Sequence, residues 1–446
     1  MTLVAAVLAR ARQRPSVRKQ PSRSRTFALY LYSELGAFAF NRFGCFPYTG
    51  SRARLYVGRT LRIARKFRKP KAGLSPTALT DLSGIRRVYL AIFKGRILMR
   101  DLRSTFPIGF GIVLALVIAL PALLSAAPKH YLWQTNSKGN DVHVISIPEH
   151  TVIKRVVVGA EPHGIATPAD ASVVFVSIEA FASPNGELIW IDPRTYEITH
   201  RIDIGPKPNH LACTLDGKWV YVPCHDEHYW VIDAEKREVV KKIKTGGRPH
   251  NTTISPDGRH MYLSPIGDPR RVIIVDVRNN HEVIGHIPFS DSVRPPAITS
   301  DGLRFFQNVD NLIGFEAANI LKRKVVRRVE HTIPDEYKGK PSRCHGLAVR
   351  PDQKEIWSCN VEHKIVHVHD ITKPDYPEIA AIQMIGRVYW LCFSPDSKYA
   401  YVAVRTNKKV AVVDTETKQI VTHVPVGDVP KRNLVITLDD TTAASQ

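Results

Sequence analysis

Carboxylates are almost missing from the first hundred positions, which hold only Glu34 and Asp81 against 22 Lys and Arg. Of the chain's formal charge of +22, that stretch carries +20 and the other 346 residues carry +2. A near-neutral body excludes the broad basic face that would mark a nucleic-acid-binding domain. The basic runs "ARARQRPSVRKQPSRSR" and "RIARKFRKPK" also lack sustained apolar periodicity, so residues 1–98 are expected to be a disordered extension or to lie upstream of a start at Met99. A nucleic-acid arm and an organelle transit peptide are the alternatives that this composition leaves open.

Long hydrophobic runs are equally scarce, and one stands out. After Met99, Arg100 and Arg103 come an uncharged stretch from Phe106, then Pro121, then Ser125, Ala126 and Ala127. A positive head, an apolar middle and a small-residue end, in that order, form a bacterial secretory signal over residues 99–127. Retained instead of cleaved, residues 106–127 just suffice to anchor the chain in a membrane, the only membrane role expected. No cysteine follows the run, which excludes a lipoprotein anchor. The body is therefore expected in the periplasm or outside the cell.

Catalytic signatures are absent too. There is no G-x-S-x-G elbow, no phosphate loop, no H-E-x-x-H and no C-x-x-C-H, so the commonest routes to acyl transfer, nucleotide hydrolysis, helix-borne zinc and covalent haem are excluded. Cysteine is sparse. Of the six, Cys213, Cys224, Cys344, Cys359 and Cys392 lie in the body, an odd number that leaves one unpaired within the chain. Cys344 and Cys359 flank a turn at nearly matching distances and are the pair expected to bond only if the register sets them opposite each other on adjacent strands.

What is present is repetition. "AEPHGIATPADASVVFVS", "GRPHNTTISPDGRHMYLSP" and "SRCHGLAVRPDQKEIWSC" are versions of one phrase. Aligned on the proline of "SPDG", units begin near Glu161, Pro206, Gly247, Ser292, Arg343 and Gly386, at the spacing of a four-stranded propeller blade. The unit from Ser292 keeps the turn but loses the Asp that ends the third strand of the others. Tyr131 to Gly159 supplies strands two to four of a further blade, and Gly427 to Asp440 supplies its first strand. The fold class is thus all-β, a seven-bladed propeller over residues 128–446 with one blade shared between the two ends.

The phrases "GRPHNTTISPDGRHMYLS", "PDSKYAYVAVRTNKKVAVVDTETKQIVTHVPVG" and "LWQTN" resemble the YVTN-type β-propeller repeat of bacterial surface and periplasmic proteins. The resemblance covers about residues 131 to 440 and implies the fold. The chain departs from it at "SIEAFAS" and "VPCHDEH", which lack the eponymous Asn.

The alignment also predicts a site. His163, Asn209, His250, Arg294, His345, Tyr389 and Arg432 stand at the head of the innermost strands, with His210 one place on, so they should ring one mouth of the central channel. The loops "EAFASPNGE", "CHDEHY" and "NVEHK" and the long connection "EHTIPDEYKGKPSR" share that rim, and the last is a candidate lid. Ordinary blade-to-blade hydrogen bonding is the first expectation for these positions; a metal, for which His163, His250 and His345 would be the ligands, and an anion on the basic and tyrosyl groups are the alternatives. The expected function is a binding or scaffold module for a protein, a surface polymer or a small ligand. A cofactor- or metal-dependent enzyme, like haem-carrying reductase or lactonase propellers, is the second expectation, and a transition metal or haem the cofactor in that case.

Overall fold

The computed structural model describes residues 128–439; the basic extension and the signal segment lie outside the described residues. Twenty-eight strands form seven four-stranded antiparallel sheets. The blade shared between the chain ends pairs β28 (Pro430–Leu438) with β1 (Lys129–Asn136), followed by β2 (Asp141–Ile147) and β3 (Val152–Val157). β4 (Pro162–Ala166) to β7 (Ile198–Ile204) make the second blade, and β8 (Ala212–Cys213) to β11 (Glu238–Lys244) the third. β12 (Arg248–Ile254), β16 (Val293–Ile298), β20 (Cys344–Val349) and β24 (Val388–Phe393) each open one of the remaining four. Closure by β28 is as expected: the inner strand from the far end completes a sheet begun at residue 129. Among the described residues no helix is long and apolar enough to cross a membrane.

The repeated phrase encodes a hydrogen-bonded turn. In "SPDGRH" the Ser255 hydroxyl donates to Asp257 Oδ1 at 2.6 Å, and that oxygen accepts from the Arg259 N–H. The His260 N–H closes back on Ser255 Oγ at 2.9 Å. Gly258 takes the positive φ, +70°, that the reversal requires. Thr214 with Asp216, Thr299 with Asp301 and Ser394 with Asp396 rebuild the same turn. At the same end of the blade the Asp after strand three caps the next turn, as Asp276 Oδ1 does for the N–H groups of Arg278 and Asn279. In the unit from Ser292 this role passes to Asn319, which accepts from the Lys322 N–H. The repeat is conserved there in chemistry although it changes in letter.

The core lies between the blades. Middle strands read VFVSI, VIIV and VAVV and are almost wholly buried, whereas outer strands such as β7 and β19 (Lys324–Glu330) alternate buried with exposed. Trp133, Val144, Val176 and Ile189 fill the seam between the first two blades. Each fully buried aliphatic side chain there contributes roughly 1.5–3 kcal/mol, so no blade is stable without its neighbours.

The disulfide expected between Cys344 and Cys359 is not formed, and both residues are free buried thiols. Cys344 pairs in register with Asn360, one residue beyond Cys359. Successive side chains point to opposite faces of a strand, so a single step removes the geometry a disulfide needs.

Candidate functional site

Six inner strands carry a β-bulge at their channel-mouth end. The register jumps between Pro162 and Ile165, Arg248 and Asn251, Val293 and Pro296, Cys344 and Leu347, and Val388 and Leu391. It also jumps on β28, between Pro430 and Asn433. His163, His250, Arg294, His345, Tyr389 and Arg432 all sit inside these bulges. A bulge frees residues from the ladder and re-aims them, here into the channel. That is the physical meaning of a histidine at the head of the phrase. The glycine after it has its own reason: a Cβ on Gly346 would lie 2.7 Å from the Cα of Trp390 on the next inner strand.

The third blade differs. β8 is only two residues long, so Asn209 and His210 precede its ladder. His210 bridges in parallel to the neighbouring inner strand instead, with its N–H on the His250 carbonyl at 3.2 Å and its carbonyl accepting from Thr252 N at 3.1 Å. This carries the His210 ring into the middle of the ring of side chains.

The three imidazoles that converge are therefore His210, His250 and His345, whose ligand atoms lie within 4.8 Å of one another, rather than the expected His163, His250 and His345. All three are buried. Their hydrogen bonds dictate where the free lone pairs are. His163 Nδ1 lies 2.8 Å from Glu179 Oε1 and 3.2 Å from Lys431 Nζ; the ammonium is already taken by Glu179 Oε2 at 2.5 Å and the nearer carboxylate only accepts, so Nδ1 carries the proton and Nε2 the lone pair. His163 Nε2 is 3.1 Å from His210 Nε2, which must then be the donor. His210 Nδ1 is left with an unshared lone pair and has no hydrogen-bond partner. His250 Nδ1 is held by Asn251 Oδ1 at 2.5 Å and His345 Nδ1 by the Tyr389 carbonyl at 3.1 Å, which leaves both Nε2 atoms as acceptors. Fixing the tautomer through the second nitrogen is how proteins orient metal-binding histidines.

Ring positions agree with a shared ion. With metal–nitrogen bonds of about 2.0–2.1 Å, ring centroids sit about 3.2 Å from the metal, and tetrahedral to trigonal angles separate them by about 5.2–5.5 Å. The observed separations are 5.0 Å for His210 and His250, 5.6 Å for His210 and His345, and 6.0 Å for His250 and His345, with interplanar angles of 73°, 53° and 82°. Rings this close leave no room for a haem macrocycle between them.

Burial keeps these rings neutral. It pushes His210, His250 and His345 well below the ordinary imidazole value, helped by the charge each would place beside the others. Burial also takes His163 down to about 4, against the opposing pull of Glu179. For Glu179 burial alone would raise the carboxyl, but His163 and Lys431 outweigh it and hold it at about 2. Above pH 4 His163 is neutral, so the charge partner of this carboxylate is Lys431, whose Nζ donates to Oε2 at 2.5 Å. Asn209 donates to the same carboxylate at 3.2 Å.

Other ring members are paired by a regular rule. His163 meets Glu179, Arg294 forms a two-pronged pair with Asp310 at 2.7 and 2.8 Å, and Tyr389 lies under Arg405. In each case the partner follows sixteen positions later in the sequence, just past the end of the blade's second strand. Glu179 occupies this position in "SIEAFAS", where the YVTN pattern breaks. The signal was thus present, and Glu179, Lys431 and Trp390 are the residues that reasoning on the ring alone missed. Tyr337, in the long connection from Glu330 to Arg343, stacks on His363 of the neighbouring loop at 4.7 Å and 17°.

A second histidine group, also missed, lies between the fifth and sixth blades. His331, His367 and Glu378 bring ligand atoms within 4.8 Å of one another, beside His369. It does not fit a shared ion, because His331 and His367 stack at 4.2 Å and 12°, and parallel rings aim their in-plane lone pairs along parallel planes.

No family model matches this chain. No curated protein matches either. Solved structures do. A chain of Kuenenia stuttgartiensis hydrazine synthase aligns at 20% identity over 64% of this chain and 96% of its own, with a TM-score of 0.54. The periplasmic gluconolactonase of Pseudomonas aeruginosa aligns at 15% identity over 70% and 99%, with a TM-score of 0.59. A protein from Lactobacillus plantarum aligns at 13% identity over 69% and 99%, with a TM-score of 0.60. These likenesses establish the propeller and nothing finer.

Proposed function

We propose that the protein is a metal-binding propeller of YVTN type, working in the periplasm or outside the cell, that holds one divalent transition-metal ion at its channel mouth. His210 Nδ1, His250 Nε2 and His345 Nε2 are the ligands, and a fourth position faces the channel. The observation that carries this is the convergence of three buried imidazoles, one nitrogen of each within 4.8 Å of the others, with a second nitrogen engaged through His163, by Asn251 and by the Tyr389 carbonyl. Binding is its primary role, and the ion serves either as the cargo or as the point at which a small ligand attaches. The signal-like order of Met99 to Ala127 supports the compartment, and the repeated phrase supports the repeat type.

The test is metal titration of the full chain, purified from the compartment to which it is exported, with Zn²⁺, Co²⁺ and Cu²⁺. One saturable equivalent is expected, with a tetrahedral visible spectrum for Co²⁺. His210→Asn/His250→Asn/His345→Asn should abolish it while the circular dichroism stays that of wild type, and the exposed His286→Asn should not change it. Failure of all three metals to bind saturably would overturn the proposal, as would retained binding in the triple variant. The exported protein should begin near Ala127 or Pro128.

A further inference from the structure

Two arginines at the channel mouth have no acid to answer them. Among the described residues Lys431 is committed to Glu179, Arg294 to Asp310 and Arg343 to Glu362 at 3.7 Å. Arg432 and Arg405 make no ion pair. Arg432 makes one long contact, Nη1 to the Leu211 carbonyl at 3.5 Å, and lies 4.5 Å from the centroid of Trp390. Arg405 stands exposed, 5.5 Å from the centroid of Tyr389. Both aromatic rings also pack against a ligand imidazole: Trp390 on His210 at 5.0 Å and 21°, Tyr389 on His345 at 3.9 Å and 24°. Two guanidiniums and two metal-facing rings thus share one aromatic pair.

The charge balance of this arrangement is one-sided. Three neutral imidazoles leave a divalent ion with its full charge, and an unpaired, half-buried guanidinium beside it adds another positive charge in surroundings of low dielectric. Taking a guanidinium out of water without a counter-ion is costly, and a protein that retains one usually has a ligand that answers it. Burial alone, with no carboxylate to oppose it, takes Arg432 down to about 10. The planar donor fork of arginine matches an oxyanion or carboxylate, which would also fill the fourth position on the metal.

We infer that the ligand of the channel mouth is a small oxyanion, carboxylate or phosphate in type, held between the metal and the Arg432 guanidinium, with Arg405 drawing it in from solvent. This rests on the metal site proposed above. An oxygen of the anion takes the open metal position, and the neighbouring oxygens accept from Arg432.

The full chain loaded with Co²⁺ tests it. Acetate, inorganic phosphate and neutral acetamide are each titrated at constant ionic strength while the visible spectrum of the cobalt is followed. Acetate or phosphate should perturb the spectrum saturably and acetamide should not, and which of the two binds more tightly identifies the type of oxyanion. Arg432→Met should weaken anion binding about 10- to 100-fold while Co²⁺ is still taken up at least as tightly as by wild type, since a positive charge beside the ion has been removed. Arg405→Met, at an exposed position where folding is not at stake, should slow anion association and make it less sensitive to salt. Cobalt uptake without an anion effect, or equal anion affinity in wild type and Arg432→Met, overturns the inference and leaves the metal site standing. If cobalt is not taken up, the metal proposal fails first, and the metal-free protein decides the anchor. Phosphate must then raise the melting temperature of wild type and not of Arg432→Met; any other result rejects it.

Discussion

Replacing Glu179 by Gln should be among the most damaging single-atom changes in this protein. The carboxylate is buried, receives Lys431 Nζ at 2.5 Å and His163 Nδ1–H at 2.8 Å, and is 3% exposed in its side chain against 9% for Lys431. Glutamine keeps the shape but turns one acceptor into a donor and strands a buried ammonium. Breaking one side of a buried pair costs about 3–5 kcal/mol. With an unfolding entropy of about 0.6 kcal/mol/K for roughly 300 residues, the melting temperature should fall by about 5–8 °C. The Lys431→Met variant should be destabilised too, because it leaves the carboxylate without its charge partner. In the double variant both charges are gone, so its loss should fall short of the sum of the singles by about 2–3 kcal/mol. Calorimetric melting of all four proteins at pH 7.5 measures this. Cobalt affinity adds a second readout: without an obligate acceptor at His163 Nδ1 the tautomer chain to His210 is no longer set, and Glu179→Gln should bind Co²⁺ about 10- to 100-fold more weakly. A Glu179→Gln protein melting within 1 °C of wild type, or strictly additive singles, would refute the reasoning.

Two further predictions follow from closure and from burial. Truncation after Val426 removes β28, bares the edge of β1 and takes Lys431 and Arg432 from the mouth; the cooperative melt should disappear, and its survival at an unchanged temperature would contradict the shared blade. His331 is buried against His367 and His369, with Glu378 facing His367, and burial holds His331 well below its ordinary value. The unfolded chain therefore takes up a proton as pH falls below about 6.5 while the folded chain does not, so stability is full above that pH and is lost below it, by at most about 1.4 kcal/mol per pH unit for this residue. Denaturant unfolding of His331→Asn should show a shallower decline between pH 6.5 and 5, and an identical slope would remove His331 as a cause.

The architecture was legible in one dimension because each blade repeats the same local chemistry. Thr214, Ser255, Thr299 and Ser394, each two residues before an Asp, mark the turns, and a fixed distance back from them lie the ring residues. Even the pairing of His163 with Glu179 and Arg294 with Asp310 is written as a constant offset. Those features depend on neighbours in sequence, where spacing and hydrogen-bonding type suffice. The metal triad was not legible, because it depends on how far one strand slides against another. A bulge releases two residues, and packing against the next blade decides which of them faces the channel, as with Tyr389 and Trp390. The shortened β8 and its parallel bridge place His210 between His250 and His345 and push His163 back to a supporting position. The same one-residue step separates Cys344 from Cys359. Sequence alone determined the number of blades and their closure; the contact between inner strands decided which side chains at the strand heads meet, since only closure of the ring brings the heads of distant repeats within bonding distance.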